Sequence, residues 1–328
     1  MNRLRVGLLG CGGIAARHAG AIESLSEQMQ LVACCGRDTT RTETFANRFG
    51  TLAYSSLQHM LDSARLDLLI VALPPFAHAG QVEAAAQAGV HLLVEKPIAL
   101  DMERAEAMVA AAGASKVVAA CGFMYRFGDA VRRWDDITAA GEAGRIGLFT
   151  GHFHCNALHA DWWRERGKSG GQMVEQLIHI VDLVRHQLGE PKCVYARAGN
   201  FFHREVTAYD SDDVSAMLLG YDDGRLGVLN ATNGAVPGQW NKGWQLIAER
   251  MTARFTGWNS ALLTRTAPAE SSERIDTETD VFVRQLADVA EAIQQRRAPS
   301  VPLADGARTL RIALAARRSA ERHREISL

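Results

Sequence analysis

The chain has 328 residues, too many for one small core and about right for two domains of ordinary size. Hydrophobic residues make up 47% and charged residues 22%, the balance of a packed globular protein. The 36 basic and 37 acidic residues leave a net charge of −1, which argues against a broad nucleic-acid surface, and no apolar run reaches membrane-spanning length.

The chain opens with basic residues followed by an apolar run, as a signal peptide does, but glycines and Arg17 interrupt it. A strand ending in a glycine-rich turn is the better reading. Strands are predicted at Leu4–Leu9, Leu31–Cys35, Leu66–Ala72, Val90–Val94 and Val117–Cys121, alternating with helices at Ile14–Leu25, Thr40–Phe49, Ala77–Ala88 and Met102–Ala112. This alternation is the signature of parallel βαβ units, and the near-continuous apolar strands suit a sheet covered on both faces. Asp101 is placed to cap the last helix and Gly113 to end it.

Beyond Phe123 the texture changes. A helix near Ala130–Ala140 is followed by strand-like stretches at Ile146–Cys155, Cys193–Phe202, Val214–Tyr221, Leu226–Ala231 and Trp244–Phe255. The Asp222-Asp223-Gly224 turn predicts an antiparallel hairpin between two of them. A helix near Gln172–Leu188 is closed by Gly189 and Pro191, and helices at Val281–Gln295 and Ala304–Arg322 finish the chain. The fold class is therefore α/β: a Rossmann domain with a doubly wound parallel sheet over residues 1–123, then an α+β domain with a mostly antiparallel sheet over 124–328.

The first strand runs into Gly10-Cys11-Gly12-Gly13-Ile14-Ala15, which fits G-x-G-x-x-A. Gly10 makes the tight turn, Gly12 lets a pyrophosphate approach the backbone, and Ala15 permits close packing of helix on strand. The helix N-terminus supplies unpaired N–H groups to the anion. Many NAD-binding versions end the second strand with an acid for the ribose 2′-hydroxyl. Here that place is taken by Gly36, followed by Arg37 and Asp38. Glycine leaves room for a 2′-phosphate, and Arg37 can pair with it or stack on adenine, so NADP(H) is favoured and NAD(H) remains open. The alternative is a solvated Arg37 with Asp38 at the ribose.

Lys96, in Glu95-Lys96-Pro97, falls at the carboxyl end of a parallel strand, the edge where doubly wound sheets bind ligands. By position alone, a surface lysine ending a strand is an equal reading. In the predicted helix after Gly170-Gly171, Glu175, His179 and Asp182 stand four and three residues apart and share one face. A histidine between two carboxylates can act as a general acid/base; a merely polar helix face is the plainer reading. His152 and His154 lie two apart on a strand, but no cysteine or acid at ligand spacing supports a metal. Cys11, Cys34, Cys35, Cys121, Cys155 and Cys193 form no C-x-x-C pair and read as small buried hydrophobes in a reducing compartment, with the cytoplasm as default.

GCGGIA, VALPPFAH, VEKP, the GFMYRF junction, GGQMVEQLIHIVD and the tail LRIALAARRSAERHREI, in this order, resemble the glucose-fructose oxidoreductase/inositol dehydrogenase/MocA family over essentially the whole chain. The resemblance implies an open second sheet that forms the subunit interface of a homodimer or homotetramer. It implies Lys96 as the catalytic lysine and His179 as the catalytic histidine, with Glu175 standing where relatives carry aspartate. Gly10, Gly12, Gly13, Ile14, Ala15, Gly36, Arg37, Pro74, Glu95 and Lys96 make up the expected cofactor set. Arg126, Trp163, Arg164, Glu175 and His179 make up the expected substrate set. The activity implied is hydride transfer between a nicotinamide and a sugar, polyol or related hydroxy or carbonyl compound. Two other functions are weighed against it: a glycosidase that oxidises and re-reduces its sugar without net redox change, and a nucleotide-binding sensor. A sensor has no need of Lys96, Glu175 and His179 together.

Overall fold

The computed structural model describes residues 3–156 and 160–328. Two compact units divide the chain: Met1–Met124 with Asp280–Ala307, and Tyr125–Thr279 with Arg308–Leu328.

The first unit holds β1 (Leu4–Leu9), β2 (Met29–Cys35), β3 (Leu52–Tyr54), β4 (Leu68–Val71), β5 (His91–Val94) and β6 (Ala119–Cys121). All pair in parallel, in the order β3-β2-β1-β4-β5-β6, so the chain reverses its direction of travel across the sheet between β1 and β4. That reversal opens a crevice at the carboxyl ends of the two strands. Val6, Leu8 and every residue of β4 are fully buried, as strands covered on both faces must be.

Several expectations shift here. The helix placed at Ala77–Ala88 begins only at Gln81, because Pro75–Ala77 is a single tight turn and Gly80 (φ +105°) sets a new start. Gly113 does not stop its helix, which runs through Met102–Ala114. The sequence reading missed β3 and the helix Leu57–Ala64, whose N-cap Ser56 accepts from the His59 N–H. A three-residue edge strand is too short to show a period.

The expected uninterrupted second domain over 124–328 also differs, because Asp280–Ala307 returns to the first unit. The helix Val281–Gln295 is amphipathic and buries Val281, Phe282, Leu286 and Val289. Its Phe282 ring meets the His18 ring edge-on at 5.2 Å, and Gln285 donates to the Cys121 carbonyl at 3.2 Å. Periodicity shows which face of a helix is buried, not what covers it.

The second unit holds β7 (Ile146–Cys155), β8 (Cys193–Gly199), β9 (Val214–Gly220), β10 (Leu226–Thr232), β11 (Trp240–Ala248), β12 (Met251–Gly257), β13 (Ser260–Arg265), β14 (Ser271–Asp276) and β15 (Ile326–Ser327). They form an open sheet in the order β14-β13-β12-β11-β7-β10-β9-β8-β15, with β7 and β10 parallel and the other neighbours antiparallel. The β9–β10 hairpin turns through Asp222-Asp223-Gly224 as expected. The segment Trp244–Phe255 is two strands, not one. It reverses at Glu249 and Arg250, whose N–H groups bond to the carbonyls of Arg145 and Ala143 rather than forming a glycine turn. The strand from Cys193 ends at Gly199, and β13, β14 and β15 were not foreseen.

The helix Ile178–Leu188 covers one face of this sheet. A Cβ on Gly151 would stand 2.5 Å from Ile180 Cγ2, and one on Gly227 3.0 Å from Val184 Cγ2, so both strands give up side chains to let the helix approach. On the opposite face, Tyr195, Leu218 and Val228 lie side by side across β8, β9 and β10, and all three are exposed.

The helix predicted over Gln172–Leu188 is broken. Gln172–Glu175 and Ile178–Leu188 are separate segments, and the Gln172 carbonyl accepts from both Gln176 and Leu177 at 3.0 Å. The wide bond to Leu177 is a local π-type turn, a distortion common at functional sites. Glu175 therefore stands before the break, while His179 and Asp182 share the helix after it.

Candidate functional site

In the first unit the turn after β1 is shaped for close approach. Gly10 has φ +101°, and a Cβ there would lie 2.5 Å from the Ala72 carbonyl oxygen. Gly12 and Gly13 are exposed, and a Cβ on either would meet nothing within 4 Å. The helix Gly13–Ser24 starts from Gly12 with no side-chain cap, which leaves its first N–H groups for an anion, and Ala15 is fully buried beneath. A dinucleotide pyrophosphate fits this open, uncapped helix end. Ile14 is half-buried just inside it, and Pro74 follows β4 at the start of the Pro75–Ala77 turn.

Gly36 proves sterically required, since a Cβ there would stand 2.5 Å from Thr42 Oγ1. Thr42 is held by its own hydrogen bond to the Asp38 carbonyl at 2.7 Å. Asp38 caps the helix Thr39–Phe49, its Oδ1 accepting from the Arg41 N–H at 2.9 Å. Arg37 is exposed. Beside this turn the half-buried Cys11 thiol is brought down to about 7, chiefly by a hydrogen bond from Cys34 and further by Thr42 and the Arg41 charge, against the opposing effect of burial.

At the end of β5, Glu95 turns inward. Its Oε1 lies 2.7 Å from Nε2 of the fully buried His18, and its Oε2 accepts from the Lys96 N–H at 3.2 Å. Gly122 leaves room for that carboxylate, since a Cβ there would stand 2.7 Å from Oε2. Lys96 is half-buried and its bond to Pro97 is cis. Glu95, expected among the cofactor residues, thus pairs with a histidine on the glycine-turn helix, and His18 itself was not singled out from the sequence. His78, just after the Pro75–Ala77 turn, is also buried, which pushes its imidazole down to about 4 and keeps it neutral.

In the second unit His179 is buried and lies flat on Tyr125, with ring centroids 4.4 Å apart and planes within 7°. Burial holds the Tyr125 phenol well above its ordinary range, with the Glu175 charge adding to it. Asp182 is tied to Arg126 by two bonds, Nε to Oδ2 at 2.8 Å and Nη2 to Oδ1 at 2.5 Å, and accepts from Thr309 at 3.3 Å. Arg126, expected at the substrate wall, is thus anchored to the helix that carries His179. Arg164 pairs with Asp161 at 3.3 Å.

Trp163 and Glu175 line a recess together with Ser169, Gly171, Gln172, Gln176, Tyr209, Ser211, Asp212 and Asn233. Gly171 (φ +88°) makes this possible, for a Cβ there would lie 2.4 Å from Asp212 Oδ1. Burial pushes the Asp212 carboxyl up to about 6, against the pull of a backbone N–H bond and the Arg166 charge. Asp212 carried no signal in the sequence, since a polar loop residue has no period to betray it, and Gln172 stands inside the GGQMVEQ motif but was not singled out.

Among the described residues, no three or more His, Cys, Asp or Glu gather to hold a metal ion, and no helix is long and apolar enough to cross a membrane. His152 and His154 each meet an asparagine instead, Asn241 at 3.2 Å and Asn230 at 2.7 Å. None of the six cysteines forms a disulfide.

The sheet order, the glycine turn and the appended mixed sheet define a dinucleotide-binding Rossmann protein with a second α/β unit. The model described as "Oxidoreductase family, NAD-binding Rossmann fold" matches residues 4–123, and the one described as "GFO/IDH/MocA C-terminal domain" matches 131–256. The chain belongs to the glucose-fructose oxidoreductase/inositol dehydrogenase/MocA family. It is 31% identical over 186 residues to glucose-6-phosphate 3-dehydrogenase of Bacillus subtilis (strain 168), covering 55% of this chain and 52% of that protein. It is 23% identical to myo-inositol 2-dehydrogenase of Thermotoga maritima, over 99% of this chain and 98% of that one. The matched stretch thus spans about half of the first relative and nearly all of the second. A solved structure of levoglucosan dehydrogenase in complex with NADH and L-sorbose shares the fold with a TM-score of 0.93 at 20% identity, covering 100% of this chain and 99% of that one.

Proposed function

We propose that the protein is an NAD(P)-dependent oxidoreductase acting on a hydroxyl or carbonyl carbon of a sugar, polyol or related compound. The observation that carries this reading is the open space over Gly12 and Gly13 at an uncapped helix end, beside the β1/β4 reversal, in a chain of this family. A bound nicotinamide supplies the hydride acceptor or donor. His179 moves the hydroxyl proton, with Tyr125 fixing the plane of its ring. The Lys96 ammonium stabilises negative charge on the substrate oxygen, and the Glu95–His18 pair holds its main chain in place. Glu175 binds a neighbouring hydroxyl. Trp163, which lines the recess with Glu175, belongs to the substrate wall, and the family resemblance adds Arg164 and the Asp182-anchored Arg126 to it.

NADP(H) is the favoured cofactor. Gly36 admits no side chain beside Thr42, Asp38 is engaged as a helix cap, and Arg37 is exposed next to both. A 2′-phosphate meets no carboxylate at Gly36 and finds a guanidinium in reach of that turn. Arg37→Ala is expected to weaken NADPH about tenfold and NADH little; equal losses remove the phosphate role. The exposed row of Tyr195, Leu218 and Val228 supports a homodimer or homotetramer through the open sheet face, and six unpaired cysteines agree with a reducing cytoplasm.

The experiment is nicotinamide absorbance with NADP+ and NAD+ offered separately against a panel of sugars and polyols. Net reduction with one substrate supports the dehydrogenase. Tight dinucleotide binding without net reduction turns the reading to transient oxidation in a glycosidase, tested next with aryl glycosides, or to a sensor.

A further inference from the structure

Two buried side-chain acceptors that line the recess in the second unit receive no hydrogen bond from the described residues. Gln172 donates its amide to Gln176 Oε1 at 3.2 Å, and the Cys155 thiol points to Gln176 Oε1 at 3.1 Å and Asn233 Oδ1 at 3.2 Å. Asn233 donates to the Tyr209 hydroxyl at 3.4 Å, which points in turn to the Asp212 main-chain oxygen at 3.5 Å. These donors are all directed to other acceptors. Gln172 Oε1 and Asp212 Oδ2 remain without a hydrogen-bond donor among the described residues, on side chains only 5% and 4% exposed. Both residues line the recess, as does Glu175. An unsatisfied buried acceptor destabilises a fold, so two facing one recess point to a guest that brings protons.

We infer that this recess is a subsite for a hydrogen-bond-donating substituent of the substrate, a hydroxyl or a protonated amine on a sugar or cyclitol ring, received by Gln172 and Asp212. The inference rests on the sugar-like substrate proposed above and deepens it. The free space suits one group about the size of a water, which is a single substituent and not a whole ring. Trp163 at the rim offers the ring an apolar wall, and Gly171 gives up its side chain so that Asp212 can reach the recess. Asp212, with its carboxyl at about 6, is mainly ionised at neutral pH and acts there as an acceptor.

The test uses the full chain with NADP+ present and the variant Gln172→Met, which removes one acceptor with little change in volume. Without sugar, the variant is expected to melt about 2–4 °C higher than wild type, because an unsatisfied group has gone. The binding probes are myo-inositol and D-glucose, each with its monodeoxy and monoamino counterparts, measured by calorimetry. Loss of one particular hydroxyl is expected to weaken the wild type about tenfold and to leave the variant unchanged. Tighter wild-type binding of the amino counterpart identifies an ammonium as the guest; tighter binding of the parent identifies a hydroxyl. A lower melting temperature in Gln172→Met with unchanged discrimination overturns the inference and makes the recess a seat for structural water. If the wild type binds none of the probes, the sugar reading falls, and the melting shift decides alone: a rise keeps a donor-binding subsite and a fall removes it.

Discussion

Asp212 offers a direct measurement of what a buried, under-satisfied carboxylate does to this fold. Moving its carboxyl from 3.8 to about 6 corresponds to about 3 kcal/mol. The sign follows from which state holds the proton more tightly. The folded protein does, so stability is highest below the unfolded value near 4, falls as pH rises through the window from about 4 to about 6, and stays low above it. Arg166 offsets part of the penalty and Asp213 adds to it, but both are unchanged in Asp212→Asn, so the difference between the two proteins isolates this one group. The amide carries no charge at any of these pH values. Urea unfolding from pH 4 to 8 is therefore expected to show the variant more stable by about 2–3 kcal/mol at pH 7 and converging on wild type near pH 4. A difference that is independent of pH, or a variant less stable than wild type at pH 7, refutes the reasoning and makes Asp212 a satisfied part of the frame.

Cys11 is expected to react with iodoacetamide ahead of the other five cysteines, with a rate that climbs between pH 6 and 8 and falls when dinucleotide is present; peptide mass spectrometry after brief labelling checks both the site and the protection. His18→Leu leaves the Glu95 carboxylate buried without its partner and is expected to cost about 3–5 kcal/mol in unfolding experiments. An unchanged midpoint there shows that Glu95 finds another partner. Gly36→Asp is expected to destabilise by about 1–3 kcal/mol through collision with Thr42, and Thr42→Ala in the same chain recovers part of the loss; the double variant, not the single one, then tests whether an acid at 36 favours NADH.

Much of the first unit could be read ahead because its signals are local. A fully buried strand is a run of apolar residues, and Gly10-Cys11-Gly12 is a turn whose chemistry is written in its own atoms. The misses arose where periodicity is silent. Gln81 starts a helix because Gly80 breaks the chain, Glu249 and Arg250 reverse a strand by bonding to residues 143–145, and Asp280–Ala307 returns to the first unit through contacts with His18 and Cys121. The first was decided by one glycine's conformation and the other two by partners distant in sequence, and no periodicity within the segment carries either kind of information.

The same distinction explains how the candidate site divides. Lys96 and His179 stand in motifs and could be singled out, whereas the groups that fix their surroundings are contributed from elsewhere: His18 from the glycine-turn helix to Glu95, and Tyr125 to the His179 ring. The helical spacing of Glu175, His179 and Asp182 held for the last two but misplaced Glu175, because it assumed a continuous helix that the Gln172 carbonyl interrupts by accepting two N–H groups. The interruption separates Glu175 from the helix of His179 and leaves it lining one recess with Gln172 and Asp212. A regular helix there would have satisfied its backbone more evenly. The backbone distortion stands in the segment where the family resemblance places the acid/base chemistry, and the two unsatisfied acceptors, Gln172 in that segment and Asp212 in the loop before β9, are side-chain atoms that the proposed substrate group would satisfy.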